Sequence, residues 1–69
     1  MKRIHVESSN IESIGYDPKS QTLEIEFLNG SIYQYFDVPE YVFNELKDAD
    51  SCGKYLNANI KGHYRFSKV

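Results

Sequence analysis

Residues 21–36 read Gln21-Thr22-Leu23-Glu24-Ile25-Glu26-Phe27-Leu28-Asn29-Gly30-Ser31-Ile32-Tyr33-Gln34-Tyr35-Phe36, and the period of this stretch decides the fold. Polar and apolar residues alternate up to Phe27 and again from Ser31, the two-residue period of a half-buried strand, with Asn29-Gly30 between the two runs. This is a β-hairpin, and its turn sets which way the tyrosines point. A two-residue turn at Asn29-Gly30 pairs Phe27 with Ile32, Ile25 with Gln34 and Leu23 with Phe36, leaving Tyr33 and Tyr35 outside against Glu26 and Glu24. A three-residue loop with Gly30 in the left-handed conformation forms a bulge and instead pairs Ile25 with Tyr33 and Leu23 with Tyr35. The second register is preferred. It sets Gln34 opposite Glu24 on the wet face and gathers Leu23, Ile25, Phe27, Tyr33 and Tyr35 on one inner face, whereas the first buries Gln34 beside Ile25.

Upstream, Ile11-Glu12-Ser13-Ile14-Gly15-Tyr16 reads as an earlier strand, and Asp17-Pro18-Lys19-Ser20 has the Asp and Pro that a type I turn favours at its first two positions. The three strands form a meander. Ile4 and Val6 also alternate, over a segment short enough to be either a fourth edge strand or a frayed end. Downstream the period changes. Pro39 suits a first helical position, and Val42, Leu46 and Ala49 follow at helical spacing with Phe43 beside them, giving a helix to about Asp48. Asp50 and Ser51 are caps for a second helix, whose stripe is Tyr55, Leu56, Asn59 and Ile60 and whose stop is Gly62. His63-Tyr64-Arg65-Phe66 is a short extended tail. The expected fold is therefore α+β: a three-stranded antiparallel β-meander followed by two α-helices packed on one face.

Size agrees with one small core. For 69 residues and 8.0 kDa, surface scaling gives about 11,600 Å² unfolded and about 4,450 Å² folded. A composition 41% hydrophobic and 26% charged, with six Tyr and four Phe, excludes a disordered chain and a membrane span. Cys52 is the only cysteine, which excludes an intrachain disulfide and a multi-cysteine zinc site. The start Met1-Lys2-Arg3-Ile4-His5-Val6-Glu7 lacks the apolar stretch of a signal peptide, so a reducing, cytoplasmic setting is expected. The net charge of −2 hides an asymmetry. Residues 1–50 hold all ten acids and four bases (−6), while residues 51–69 hold Lys54, Lys61, Arg65 and Lys68 and no acid (+4), interleaved with Tyr55, Tyr64 and Phe66. Bases interleaved with aromatics are what a polyanion-binding surface needs.

With these residues in place, Ser8-Ser9-Asn10-Ile11, Gly15-Tyr16-Asp17, Leu23 to Phe27, Asn29-Gly30, Tyr33-Gln34-Tyr35, Val38-Pro39 and Ala49-x-Ser51-x-Gly53-x-Tyr55-x-Asn57-x-x-Ile60 followed by Tyr64 resemble the KTSC domain family. That short module is named for its place at the C-terminus of some lysyl-tRNA synthetases and also occurs as a stand-alone bacterial protein. The resemblance spans about residues 8–66 of a single domain expected over 1–69. It implies no catalytic activity, and its company with a tRNA synthetase suggests RNA as a partner.

The candidate binding residues lie on the second helix and tail. At α-helical spacing Lys54, Asn57, Ala58 and Lys61 share a face opposite Leu56 and Ile60, and Arg65 and Tyr64 extend it. Ser51 and Gly53 open the helix, with free N–H groups and room for a close anion. The sequence here is not a P-loop: it lacks the upstream glycine, and Tyr55 stands where Ser or Thr is required. The plain alternative is a solvated helix face with an ordinary Ser cap. Tyr33 and Tyr35 are either a stacking platform for bases or core residues, and the register favours the core. Cys52, near Lys54 in a first helical turn, has an environment that lowers a thiol pKa, with His63 as the nearest base in sequence. No orienting third group or oxyanion site accompanies them, so no catalytic role is assigned, and Cys52 reads plainly as a small residue near the interhelical turn. His5 and His63 lack zinc-site spacing, so no metal or other cofactor is expected. The expected function is a non-catalytic binding module with weak RNA binding. The alternative is a protein-interaction or self-association module using Ile32 and Phe36 on the outer sheet face.

Overall fold

In the computed structural model, which describes residues 1–69, the hairpin takes the three-residue loop. Leu23 pairs with Tyr35, Glu24 with Gln34 and Ile25 with Tyr33. The Phe27 carbonyl accepts from Gly30 N–H at 2.9 Å, and Gly30 sits at φ +92°, the left-handed region that costs glycine nothing. Asn29 Oδ1 accepts from Ser31 N–H at 2.9 Å, and Gln34 Nε2 donates to Glu24 Oε1 at 2.8 Å on the wet face. The turn therefore points both tyrosines inward.

The sheet is larger than the expected meander. Its five antiparallel strands are β1 (Arg3–His5), β2 (Ile11–Asp17), β3 (Thr22–Phe27), β4 (Ile32–Tyr35) and β5 (Phe66–Lys68), ordered β1-β2-β3-β4-β5. The three-strand count is thus corrected at both edges. At one edge, β1 is only three residues long and is held partly by a side chain. The Arg3 stem crosses Gly15, where a Cβ would stand 2.8 Å from Arg3 Cγ, and the guanidinium reaches Glu24 at 3.4 Å and Glu26 at 4.0 Å. At the other edge the helices return the tail to the free side of β4, where Phe36 N–H donates to the Arg65 carbonyl and Val69 N–H to the Ile32 carbonyl. That pairing joins residues about thirty positions apart, beyond the reach of any local period.

Helix α1 (Glu40–Asp48) follows Pro39, which stands just before the first helical residue, not on it. It buries Val42 and Leu46, and Phe43 stacks on Tyr16 with ring centroids 5.3 Å apart. The Tyr16 hydroxyl donates to the Val38 carbonyl, tying the end of β2 to the β4–α1 connection. Helix α2 (Cys52–Tyr55) begins with the Ser51 hydroxyl accepting from Lys54 N–H at 3.2 Å, as expected of a cap. It then widens into a π-helical turn (Leu56–Ile60) closed by Lys61 N–H donating to the Leu56 carbonyl, and Gly62 stops it at φ +80°. The widening corrects the expected stripe. Leu56 and Ile60 are fully buried, but Asn59 is exposed, its amide donating to the Tyr55 carbonyl at 3.3 Å. Ile11, Ile14, Leu23, Ile25, Leu46 and Leu56 anchor one core between sheet and helices. The accessible surface, 4326 Å², lies close to the value expected from mass.

Candidate functional site

The helices cover only part of the inner face of the sheet. Beyond them, toward β4 and β5, Phe27, Tyr33, Tyr35 and Phe66 line an open groove of about 460 Å³ that also touches Asn29, Ser31, Lys61 and Gly62. The strand period places these rings on one face: Leu23, Tyr35 and Phe66 form one cross-strand row, and Ile25, Tyr33 and Lys68 the next. Their centroids run in a chain, 5.6 Å from Phe27 to Tyr33 (edge-on), then 5.8 Å from Tyr33 to Phe66 and 5.8 Å from Phe66 to Tyr35. Phe66 is 59% exposed and Tyr33 half-buried, whereas Tyr35 is 3% exposed and its hydroxyl pKa is raised, chiefly by burial. The groove therefore has two open rings on a buried floor.

Its charge is one-signed. The Lys61 ammonium stands 5.9 Å from the Phe27 ring centroid, and Lys68 lies across from Tyr33 on the same face. No acid lines the groove. The period sends Glu24 and Glu26 to the opposite face, where Arg3, Gln34 and Ser13 engage them.

The sequence-selected residues do not assemble into one basic stripe. Lys54 and Asn57 are exposed on the helix, but the π turn advances each residue by less than an α turn does, and Lys61 falls past it in extended backbone (φ −62°, ψ 128°). Lys61 thus leaves the line of Lys54 and joins the groove. Arg65 goes to the outer face, where its guanidinium donates to Asp37 Oδ2 at 2.8 Å and lies 5.7 Å from the Phe36 ring centroid. Tyr64 is half-buried against the core. The Ser51 hydroxyl is engaged as the cap. Gly53 is buried, and its missing side chain makes room for Asn10 and not for an anion, since a Cβ there would stand 2.7 Å from Asn10 Oδ1.

Cys52 takes the plain reading, a small residue near the interhelical turn, and not that of a thiol with a lowered pKa. Its thiol is buried, donates to the Leu46 carbonyl at 3.2 Å, and has its pKa pushed up by burial, the reverse of an activated nucleophile. Ile32 and Phe36 lie on the outer face, both half-buried and separated by Gln34. Sequence reasoning missed Phe27, Phe66 and Lys68 as members of a site. Aromatics interleaved with bases after residue 51 were the signal, but using it requires the pairing of β5 with β4.

Comparison with known proteins places this geometry in a family. The sequence model of the KTSC domain matches residues 7–64. An uncharacterised protein of Stutzerimonas stutzeri is 44% identical over 70 residues, covering 100% of this chain and 99% of that protein. A lysine–tRNA ligase of Nostoc punctiforme is 44% identical over 63 residues, covering 91% of this chain but only 11% of the ligase. The crystal structure of a KTSC domain protein from Yersinia pestis superposes with a TM-score of 0.93 at 42% identity, covering 99% of this chain and 96% of that one. No helix of the chain is long and apolar enough to cross a membrane.

Proposed function

The chain belongs to the KTSC domain family, and on that basis we propose that it is a small non-catalytic binding module for single-stranded RNA, with the aromatic groove as its site. The observation that carries this reading is the row of rings along the open groove, exposed Phe66 beside half-buried Tyr33 and Phe27, flanked by Lys61 and Lys68 with no acid among the groove's lining residues. Unpaired bases stack on aromatic side chains whatever their identity, and the ammonium groups meet the phosphates that link them. The place of a matching segment in lysine–tRNA ligases adds support from company alone. The buried Cys52 thiol supports a binding role over a catalytic one. The outer face is less suited to a partner, because Gln34 and Glu24 divide Ile32 from Phe36 and Arg65 lies over the Phe36 ring.

The test is fluorescence anisotropy of a labelled ten-nucleotide single-stranded RNA at low and physiological salt. Two phosphates met by Lys61 and Lys68 give a slope of log K on log salt of about −1.4. Phe66→Ser should weaken binding by about 5- to 150-fold, the worth of one stacked base, while Phe66→Trp retains it. Equal binding by wild type and Phe66→Ser would remove the groove from the account.

A further inference from the structure

A second hollow, of about 350 Å³, adjoins the groove; Ser9, Asn10 and Leu28 line it, and it shares Phe27, Asn29 and Lys61 with the groove. We propose that the two hollows form one track for a single RNA dinucleotide step, with a base in the aromatic groove, the linking phosphate at Lys61, and the neighbouring ribose in the second hollow, which reads its 2′-hydroxyl. This deepens the single-strand reading above and rests on it.

The chemistry changes across the shared wall. On one side lie the rings; on the other, polar groups with unspent hydrogen-bonding capacity. Asn29 Oδ1 is taken by Ser31 N–H and Asn10 Oδ1 by the Ser8 hydroxyl, but the side-chain N–H groups of Asn29 and Asn10 and the Ser9 hydroxyl have no partner within the protein. Lys61 stands where the two sides meet, its ammonium 5.9 Å from the Phe27 ring centroid. No acid lines either hollow. An apolar slot, a cation and a polar slot in that order match base, phosphate and ribose along one strand. A 2′-hydroxyl both donates and accepts, so amide N–H groups and a serine hydroxyl suit it, and deoxyribose lacks that group.

The experiment is an amide NMR titration of the intact protein with adenosine monophosphate, with the RNA dinucleotide ApA and with its deoxy counterpart. ApA is expected to bind about fivefold or more tighter than the mononucleotide, although it carries less phosphate charge, and about 3- to 10-fold tighter than the deoxy form, the range of one or two hydrogen bonds. Shifts at Ser9, Asn10 and Leu28 should follow ApA and not the mononucleotide. Ser9→Ala removes a hydroxyl that can both donate to and accept from the 2′-hydroxyl and adds no charge, so the RNA-to-DNA affinity ratio should fall toward one. A wild-type ratio of one, or equal binding of ApA and mononucleotide with shifts confined to Tyr33 and Phe66, would overturn the track while leaving the groove as a base-stacking site. No shift with any of the three probes, together with no binding of the ten-nucleotide RNA, would overturn both.

Discussion

Two halves of one sheet face are built from different side chains. Under the helices the inner face is mainly aliphatic, with Ile11, Ile14, Leu23 and Ile25 fully buried and Tyr16 stacked beneath Phe43 of α1; beyond them, at β4 and β5, it is aromatic and open to water. Tyr35 and Tyr33 mark the border. They are two residues apart on one strand and share a face, yet Tyr35 is a core residue that only floors the groove, whereas Tyr33 opens into it. Strand periodicity assigns a side chain to a face, and only the cover on that face decides between packing and recognition. An aliphatic residue left uncovered offers water nothing, whereas a ring left uncovered offers a stacking surface.

The largest effect that separates the halves is Leu56→Ala. It removes a fully buried side chain from the covered half and should cost about 2 to 5 kcal/mol, against a total of roughly 3 to 10 kcal/mol for a chain of this length, read as a fall in the urea midpoint. Phe66→Ser should do the opposite, moving the urea midpoint little while costing most of the RNA affinity. Gly53→Ala presses a methyl group against Asn10 Oδ1, the end of an exposed side chain that must swing away from the Ser8 hydroxyl, and should cost only about 0.5 to 1.5 kcal/mol, one hydrogen bond's worth, while leaving the aromatic groove's base stacking intact.

Alkali sharpens the comparison further. Burial raises the pKa of Cys52 and Tyr35, and Tyr55 is pushed up to about 12 by burial first and then by its hydroxyl's 2.6 Å hydrogen bond to Glu45. The folded chain keeps these protons where the unfolded chain loses them, starting from ordinary values of 9.0 for the thiol and 10.0 for the phenols. Their contribution is therefore complete below about pH 9 and is lost as pH rises through the folded values. Urea midpoints taken from pH 8 to pH 12 should fall accordingly, and Tyr55→Phe should flatten the loss above pH 10. The smallest effect belongs to Lys61→Gln, which should make the salt slope shallower by about 0.7, one phosphate's worth on a single strand.

Much of the covered half was legible in the sequence because its signals are local. The alternation of Leu23 to Phe27, the Asn29-Gly30 turn, the Ser51 cap and the Gly62 stop each act within a few residues, and the cost of burying Gln34 was enough to choose the register. The open half was legible only as far as β4, where the register put Phe27, Tyr33 and Tyr35 on one face; its β5 side was not, for the converse reason. β5 pairs with β4 across two helices, so the juxtaposition of Tyr33 with Phe66 and Lys68 has no short-range signature. The π turn misled the helical period as well. Lys54 and Lys61 share a face only if every turn is α-helical, and the wider turn hands Lys61 to the groove. Gly53 was misread in kind: the space it leaves is filled by Asn10, so two motif segments far apart in sequence meet there to fix the fold.

The most direct test of the central claim is an amide NMR titration of the labelled protein with the ten-nucleotide single-stranded RNA at low salt. Shifts centred on Phe27, Tyr33, Lys61, Gly62 and Phe66, fading as salt is raised, are the predicted result. Shifts confined to Ser51, Lys54 and Asn57, along the exposed side of the cap, α2 and the π turn, or to Ile32 and Phe36 on the outer face, would contradict it.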